Sequence, residues 1–394
     1  MKDTGRSAPD GGGPGPARML SLVAAPDKFR GTASARQAAD AIARGASRAG
    51  WSSRRIPLSD GGEGLLEVLG AVAGLDAGWS SVEVRGPLGR PVAAPWMRMG
   101  TVAVVETAKA SGLALVGGAS GNDAMAASSW GTGELIMAAV RDLLDRHRDV
   151  PTRGDFRAAL GLDHGTDGDP TGGTVLVGLG GSATTDGGAG MVAAVEEHGG
   201  LDGIALIGAC DVDVLFVAAA EGFARQKGAS DAEVVALEER LRTVAGRFAE
   251  RSGVDVTSVP GSGAAGGMGG ALVALGGQLR SGYRVVAGLT GLPDALGHTA
   301  LVVTGEGAFD ATSFAGSSFA GKVTGSVLSD AAALGIPSLV IAGRVADGAA
   351  ERAAALGAHV VSLGEEFGGA RAMAETAACI EEAVNVFLAS HPVA

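Results

Sequence analysis

Four glycine-rich segments of the sequence carry acids, hydroxyls or a lysine, the groups that proteins use to handle phosphate. They are residues 26–29, 59–64, 180–188 and 304–310, and each follows a predicted strand. Glycines let backbone N–H groups converge on phosphate oxygens, while nearby carboxylates hold Mg²⁺ or accept a hydroxyl proton. One Asp-Gly pair is typical of an ordinary turn. Four such segments at strand ends favour a ligand site, because open α/β sheets bind ligands there.

Two standard nucleotide motifs match the sequence only in part. Residues 316–322 have the spacing of a P-loop, but Val323 stands where the Mg²⁺-binding Ser or Thr is required. Residues 178–183 resemble a dinucleotide-type glycine pattern, and Asp202 follows at about the distance expected of a ribose-binding acid. A nicotinamide-dependent oxidoreductase is therefore an alternative. The polar run 184–186 fits phosphate and metal chemistry better, and Asp202 precedes its predicted strand.

The elements that must position these segments alternate between strands and helices. An apolar strand over 20–25 is followed by helical spacing of apolar residues over 35–46, and a strand over 55–58 by a helix over 65–72. Extended stretches at 81–84, 92–97 and 102–106 then predict an antiparallel meander. Strands over 174–179, 301–304 and 338–342 and a helix over 373–388 restore the alternation, and residues 153–173 are predicted to form a surface loop.

This order predicts an α/β fold of two domains. Residues 19–79 plus 285–394 are expected to form a doubly wound, Rossmann-like domain built from both chain ends. Residues 80–284 are expected to form a second, mixed α/β domain inserted into it. Residues 1–18 are rich in Gly and Pro and are expected to be a disordered leader. The cleft between the domains is the expected ligand site.

Composition narrows the classes of partner. The 31 Lys and Arg against 43 Asp and Glu give a net charge of -12, which disfavours nucleic acid and anionic membranes. No apolar run is long enough to span a membrane, and no apolar signal segment precedes Met19. Two cysteines far apart suit a reduced cytoplasmic protein. The sequence leaves open whether the chain forms a homo-oligomer.

A series of motifs resembles the bacterial glycerate kinase family. The run Gly-Gly-Ser-Ala-Thr-Thr-Asp-Gly-Gly-Ala-Gly beginning at Gly180 is particularly specific. The resemblance extends collinearly from Met19 to the C-terminus, through segments 25–31, 59–64, 131–135, 180–190, 210–212, 226–229, 261–270 and 304–307. It implies a two-domain α/β kinase that uses ATP and Mg²⁺ to phosphorylate D-glycerate, a small-molecule substrate.

The sequence departs from the family pattern in two places. Residues 214–216, Val-Leu-Phe, stand where the family usually has Asn-Pro-Leu. Thr312 replaces a usual Gln, and residues 313–321 read like a short duplication that displaces Lys322. A kinase-derived protein with weak or altered activity is therefore a further alternative.

The resemblance and the residue chemistry together suggest roles for individual side chains. Asp186 is the leading candidate for catalytic base or metal ligand and Asp60 the second, while Lys28 is expected to hold a phosphate or the glycerate carboxylate. Substrate binding is expected from Arg85, Lys227, Ser182 and Thr184. Phosphate or nucleotide binding is expected from Gly180, Gly181, Gly187, Gly188 and Lys322, and Mg²⁺ binding from Glu306 and Asp310.

Overall fold

A computed structural model describes residues 20–73, 77–146, 160, 172–314 and 322–390. The predicted leader, most of the predicted loop 153–173 and most of the P-loop-like segment lie outside the described residues. The strands are β1 Ser21–Ala24, β2 Ser52–Arg55, β3 Gly78–Arg85, β4 Pro91–Met99, β5 Val102–Glu106, β6 Thr174–Gly178, β7 Ala205–Cys210, β8 Gln278–Ser281, β9 Leu301–Phe309, β10 Ser338–Val345 and β11 Ala358–Ser362.

Helices connect most of these strands. They are α1 Ala35–Arg48, α2 Leu65–Ala73, α3 Thr107–Ser111, α4 Trp130–Arg146, α5 Ala189–Glu197, α6 Ala219–Phe223, α7 Asp231–Ser252, α8 Ala264–Ala274, α9 Gly282–Thr290, α10 Leu292–Leu296, α11 Val323–Ala333, α12 Ala349–Ala354, α13 Leu363–Phe367, α14 Gly369–Ala374 and α15 Thr376–Ser390. Among the described residues, no helix is both long and apolar enough to cross a membrane.

The first sheet has the strand order β11-β10-β9-β1-β2, and all its strands are parallel. It joins the two ends of the chain, because β1 lies between β2 and the much later β9. The predicted α/β class and the parallel sheet built from both chain ends are confirmed. Helix α1 begins at a capping box on Ser34 and packs its buried alanine face against α15.

The second sheet has the order β3-β4-β5-β6-β7-β8. The pairs β3–β4 and β4–β5 are antiparallel, as the predicted meander requires, and the remaining pairs are parallel. One hydrophobic cluster contains residues from both sheets. Val23 of β1 and Ile56, which follows β2, pack in it with Val104 of β5 and Ile207 of β7. Because the two sheets share this core, the domain limits at 80 and 284 stay a prediction.

Two predicted elements have different bounds in the structure. Strand β2 ends at Arg55, although Ile56 N and Leu58 N continue to donate to the carbonyls of Ala24 and Pro26. The apolar residues that suggested the strand therefore follow it. The helix predicted over 373–388 is two helices, since α14 ends at Ala374 and α15 begins at Thr376.

The glycine-rich segment 304–310 was expected to follow the predicted strand 301–304, but most of it belongs to that strand. β9 continues to Phe309 and pairs with β10 as far as Val345. Its glycines serve close strand packing, because a Cβ on Gly305 would lie 2.0 Å from the carbonyl oxygen of Ile341. Glu306 therefore projects from a strand and is buried.

Candidate functional site

Four carboxylates from four different strands meet around one lysine. Asp27 follows β1, Asp60 follows β2, Asp211 follows β7, and Glu306 lies near the end of β9. Lys28 is the lysine among them. Each acid acts electrostatically on at least one of the others. The carboxyl ends of parallel strands from both sheets therefore converge on one site.

Lys28 is held in place by both its main chain and its side chain. Its Nζ donates to the carbonyl oxygen of Glu63 at 3.0 Å and lies 3.6 Å from Oδ1 of Asp60. Its backbone N–H donates to Oδ1 of Asp27 at 2.7 Å. These contacts join the loop after β1 to the loop after β2.

The crowding of acids shifts several pKa values. Burial, then the charge of Asp60, raises the pKa of Asp27 to about 7. The same two causes raise the pKa of Asp211 to about 7. Burial alone would lower the pKa of Lys28, but Asp60 and Asp27 outweigh it and the pKa rises. The lysine therefore stays charged, while Asp27 and Asp211 bind and release a proton near neutral pH.

Glycines allow the two sheets to touch at this point. A Cβ on Gly282 would lie 1.8 Å from the carbonyl oxygen of Asp60, and a Cβ on Gly180 would lie 2.7 Å from Cα of Gly62. Real Cβ atoms do not approach other atoms so closely. Asp60 is therefore positioned by direct backbone contact between segments of both sheets.

The larger of two cavities at the site has a volume of about 670 Å³. It lies at the carboxyl ends of β1, β9, β10 and β11, where doubly wound sheets bind ligands. Arg30, Lys322 and Arg344 contribute cations, and Ser362 and Thr376 contribute hydroxyls. Five predicted site residues line it together, namely Lys28, Asp60, Glu306, Asp310 and Lys322.

The smaller cavity, of about 460 Å³, lies on the other side of the loop after β1. Both cavities are lined by Asp27, Lys28 and Arg30. Strand β5 of the second sheet contributes Glu106 to the smaller cavity, and the following helix α3 contributes Lys109. Oε1 of Glu106 accepts a 2.7 Å hydrogen bond from the backbone N–H of Leu66, which caps α2.

Asp186 lies elsewhere and is saturated with hydrogen bonds. Its Oδ2 accepts from the backbone N–H and the hydroxyl of Ser129, both at 2.8 Å, and from Gly190 N at 3.3 Å. Its Oδ1 accepts from Gly188 N at 3.0 Å. These bonds fix the start of α5 and favour a structural role for Asp186 over its predicted role as base or metal ligand.

Lys227, Ser182 and Thr184 form a buried cluster of their own. Nζ of Lys227 donates to Oγ of Ser182 at 2.9 Å and to the carbonyl oxygen of Thr184 at 2.6 Å. Burial lowers the pKa of Lys227 to about 7. The negative charge of Asp186 raises this pKa, but by less than burial lowers it. None of these residues lines either cavity, so their contacts support the loop 182–186 rather than a ligand.

The glycines predicted to hold phosphate serve mainly packing. A Cβ on Gly188 would lie 2.4 Å from Cβ of Ala271, and one on Gly187 would lie 2.9 Å from Val244. Gly180 contacts Gly62, and Gly181 lies beside Ala108. Their predicted role in phosphate binding stays a prediction that these contacts do not favour.

Arg85 also lies outside both cavities. Its guanidinium stacks over the ring of Trp130, with 4.6 Å between Cζ and the ring centroid. Its backbone N–H donates to Glu134 Oε2 at 2.6 Å. A role in binding the substrate carboxylate therefore finds no support in these contacts.

The predicted metal ligands Glu306 and Asp310 are arranged differently from each other. Burial raises the pKa of Glu306, and its buried Oε1 has no hydrogen-bond partner among the residues that the structure describes. Oδ1 of Asp310 accepts from both the N–H and the hydroxyl of Thr312. Within the described ranges, no group of three or more His, Cys, Asp or Glu could hold a metal ion.

Sequence reasoning did not select several residues of the site, among them Asp27, Asp211, Arg30 and Arg344. Asp27 and Asp211 each stand within three residues of the end of a buried parallel strand. An acid in that position was the signal that could have found them. Arg30 lies in the family motif 25–31, which was the signal for it, whereas nothing local marks Arg344, because β9 and β10 bring it to the cavity only in the folded sheet.

Comparisons with known proteins agree with this architecture. The model of the glycerate kinase family matches residues 22–150 and 196–390. The chain therefore belongs to the glycerate kinase family, whose members are phosphotransferases. This finding confirms the resemblance seen in the sequence, and nothing in the comparisons favours an oxidoreductase.

Individual relatives cover most of the chain. A glycerate 2-kinase of Escherichia coli is 35% identical over 75% of this chain and 79% of its own length. A glycerate kinase of Halalkalibacterium halodurans is 34% identical over 84% and 87%. A solved structure of a protein assigned as glycerate kinase 2 from Salmonella typhimurium LT2 has a TM-score of 0.69, at 28% identity, over 95% of this chain and 98% of its own.

Proposed function

We propose that the protein transfers the γ-phosphoryl group of ATP to a hydroxyl of D-glycerate. The observation that carries this proposal is the pair Asp27 and Lys28, which lies between two cavities of different size. A kinase needs such an arrangement, because donor and acceptor must approach one reacting phosphorus from opposite sides. The names of the E. coli and H. halodurans relatives support the choice of glycerate.

ATP is assigned to the larger cavity. Its volume of about 670 Å³ is within the range of cofactor sites, which run from about 300 to 1,000 Å³. Arg30, Lys322 and Arg344 supply positive charge for phosphates. Gly369, Ala372 and Met373 of α14 supply the uncharged part of the wall, where a base and ribose fit.

D-Glycerate is assigned to the smaller cavity. A hydroxy acid needs a cation for its carboxylate, and Arg30 and Lys109 both line this cavity. Its hydroxyl then faces Asp27 and Lys28, which the two cavities share. This placement puts the acceptor hydroxyl next to both a carboxylate and a lysine.

The proposed mechanism divides the work among these residues. Asp27 accepts the proton of the attacking hydroxyl, and its pKa of about 7 suits a base that works at neutral pH. Lys28 neutralises the charge of the transferring phosphoryl group. Asp60 holds Lys28 in position through their 3.6 Å ion pair.

Mg²⁺ fits the site as a partner of the nucleotide phosphates. Protein sites for Mg²⁺ with ATP commonly provide one or two carboxylates, and phosphates and water complete the coordination. Asp60 and Asp211, which share a side-chain hydrogen bond, are the carboxylates that would hold it. Bound there, the ion would neutralise phosphate charge. A cytoplasmic location, where ATP is present, belongs to the same proposal.

The experiment is ADP production from Mg²⁺-ATP with D-glycerate, beside a panel of other hydroxy acids and a no-acceptor control. Turnover that depends on D-glycerate is expected, and Lys28→Met should reduce kcat by about a hundredfold or more. Separation of 2- and 3-phosphoglycerate identifies the hydroxyl. Absence of turnover with every acceptor would overturn the proposal and favour a kinase-derived protein without this activity.

A further inference from the structure

A third cavity lies at the free edge of the first sheet. It has a volume of about 310 Å³ and shares no residue with the two cavities of the candidate active site. Strand β2 forms its floor, because β2 is the last strand of the sheet and pairs only with β1. Residues of α1, α2 and α9 complete the wall.

Three arginines line this small cavity, Arg36 from α1 and Arg54 and Arg55 from β2. Arg55 forms an ion pair with Asp40 at 2.8 Å. Within the described part of the chain, the guanidinium groups of Arg36 and Arg54 make no hydrogen bond or ion pair. Asp40 lines the cavity too, so the charged lining of three exposed arginines and one half-buried aspartate carries a net charge of +2 in a protein whose total is -12.

The backbone adds a further donor. Ser52 N and Ile56 N donate to the carbonyls of Leu20 and Ala24 on β1. Because hydrogen bonds alternate along a parallel strand, the N–H of Arg55 points to the free edge. Charged residues on an edge strand also prevent pairing with another chain. That role accounts for Arg54 and Arg55 but not for Arg36, which belongs to a helix.

We propose that Arg36, Arg54 and Arg55 form a binding site for a small multivalent anion, outside the candidate active site. The ligand carries phosphate or carboxylate groups, since these accept the forked hydrogen bonds of guanidinium groups. The cavity's volume suits a compact anion rather than a nucleotide. The apolar part of the wall, including Ala39, Ile56 and Val72, excludes water from one side.

The test is equilibrium dialysis of the full-length protein with radiolabelled orthophosphate, with a non-hydrolysable ATP analogue and Mg²⁺ present to fill the candidate active site. The wild type should bind one phosphate that the analogue does not displace. The double variant Arg36→Gln/Arg54→Gln should bind it about tenfold more weakly or worse. The matched control Arg247→Gln, an exposed arginine of α7, should bind as the wild type does.

Pyrophosphate and citrate, added as competitors, distinguish the two sources of negative charge. Displacement mainly by pyrophosphate identifies a phosphate ligand, and displacement mainly by citrate a carboxylate ligand. Equal phosphate binding by the double variant and the wild type would overturn the proposal. Kinase activity is measured separately, so a failure of the proposed function does not affect this outcome.

Discussion

Asp27 combines a cost in stability with a proposed role in proton transfer. Burial and the neighbouring Asp60 raise its pKa from 3.8 to about 7. The folded protein thus binds a proton on Asp27 more tightly than the unfolded chain does. This contribution to stability is complete below pH 3.8 and is lost as the pH rises towards 7. Above pH 7 the charged form of Asp27 destabilises the fold.

The variant Asp27→Asn should therefore be inactive but more stable than the wild type at pH 8. The expected gain in free energy of unfolding is on the order of 1–3 kcal/mol, and it should disappear near pH 4. Urea unfolding at both pH values measures it. Asp310→Asn is the control. Hydrogen bonds from Thr312 lower the pKa of Asp310, so this variant should lower the free energy of unfolding at pH 8. A loss of stability at pH 8 in Asp27→Asn would contradict this account of Asp27.

At the scale of elements, the loop 182–188 and the start of α5 depend on close backbone packing. Gly188 has a φ of 72°, in the left-handed region, and contacts Ala271 and Met268 of α8. Asp186 and Lys227 hold the same loop through buried hydrogen bonds. The family motif in this segment therefore maintains the packing of α5 and α8, which accompany the second sheet.

Gly188→Ala should destabilise the protein by about 2 kcal/mol or more. The backbone at 188 is left-handed, which strains any residue with a Cβ, and the new Cβ would lie 2.4 Å from Cβ of Ala271. Gly246→Ala is the matched control. Gly246 lies within α7, and a Cβ there would have no atom within 4 Å. That change should stabilise the protein by roughly 0.5–1 kcal/mol. Urea unfolding midpoints measure both variants, and equal effects would contradict the packing role of Gly188.

For the whole molecule, the site depends on how the two sheets meet. Asp60 belongs to the first sheet's side, yet its carbonyl oxygen contacts Gly282, which follows β8 of the second sheet. Glu106 of β5 caps α2 across the same junction. The position of Asp60 in the candidate site is therefore set by the junction between sheets rather than by either sheet alone.

Gly282→Ala should reduce kcat by about tenfold to a hundredfold, because a Cβ 1.8 Å from the Asp60 carbonyl forces that loop to move. Gly297→Ala is the matched control, since its nearest contact, the carbonyl oxygen of Asp294, would be an ordinary 3.5 Å. Steady-state kinetics with ATP and D-glycerate measure both variants. A Gly282→Ala protein with wild-type kcat would show that the junction does not position Asp60.

The sequence by itself determined the α/β class, the parallel strands at both chain ends and the glycine-rich segments, because these follow from local periodicity and local backbone chemistry. It also placed Lys28 and Asp60 correctly at strand ends. Only the tertiary structure decided that Asp27 and Asp211 join Asp60 while Asp186 is taken up by structural hydrogen bonds. The physical reason is that burial, pKa and partner choice depend on residues distant in the chain, which meet only when the two sheets pack together.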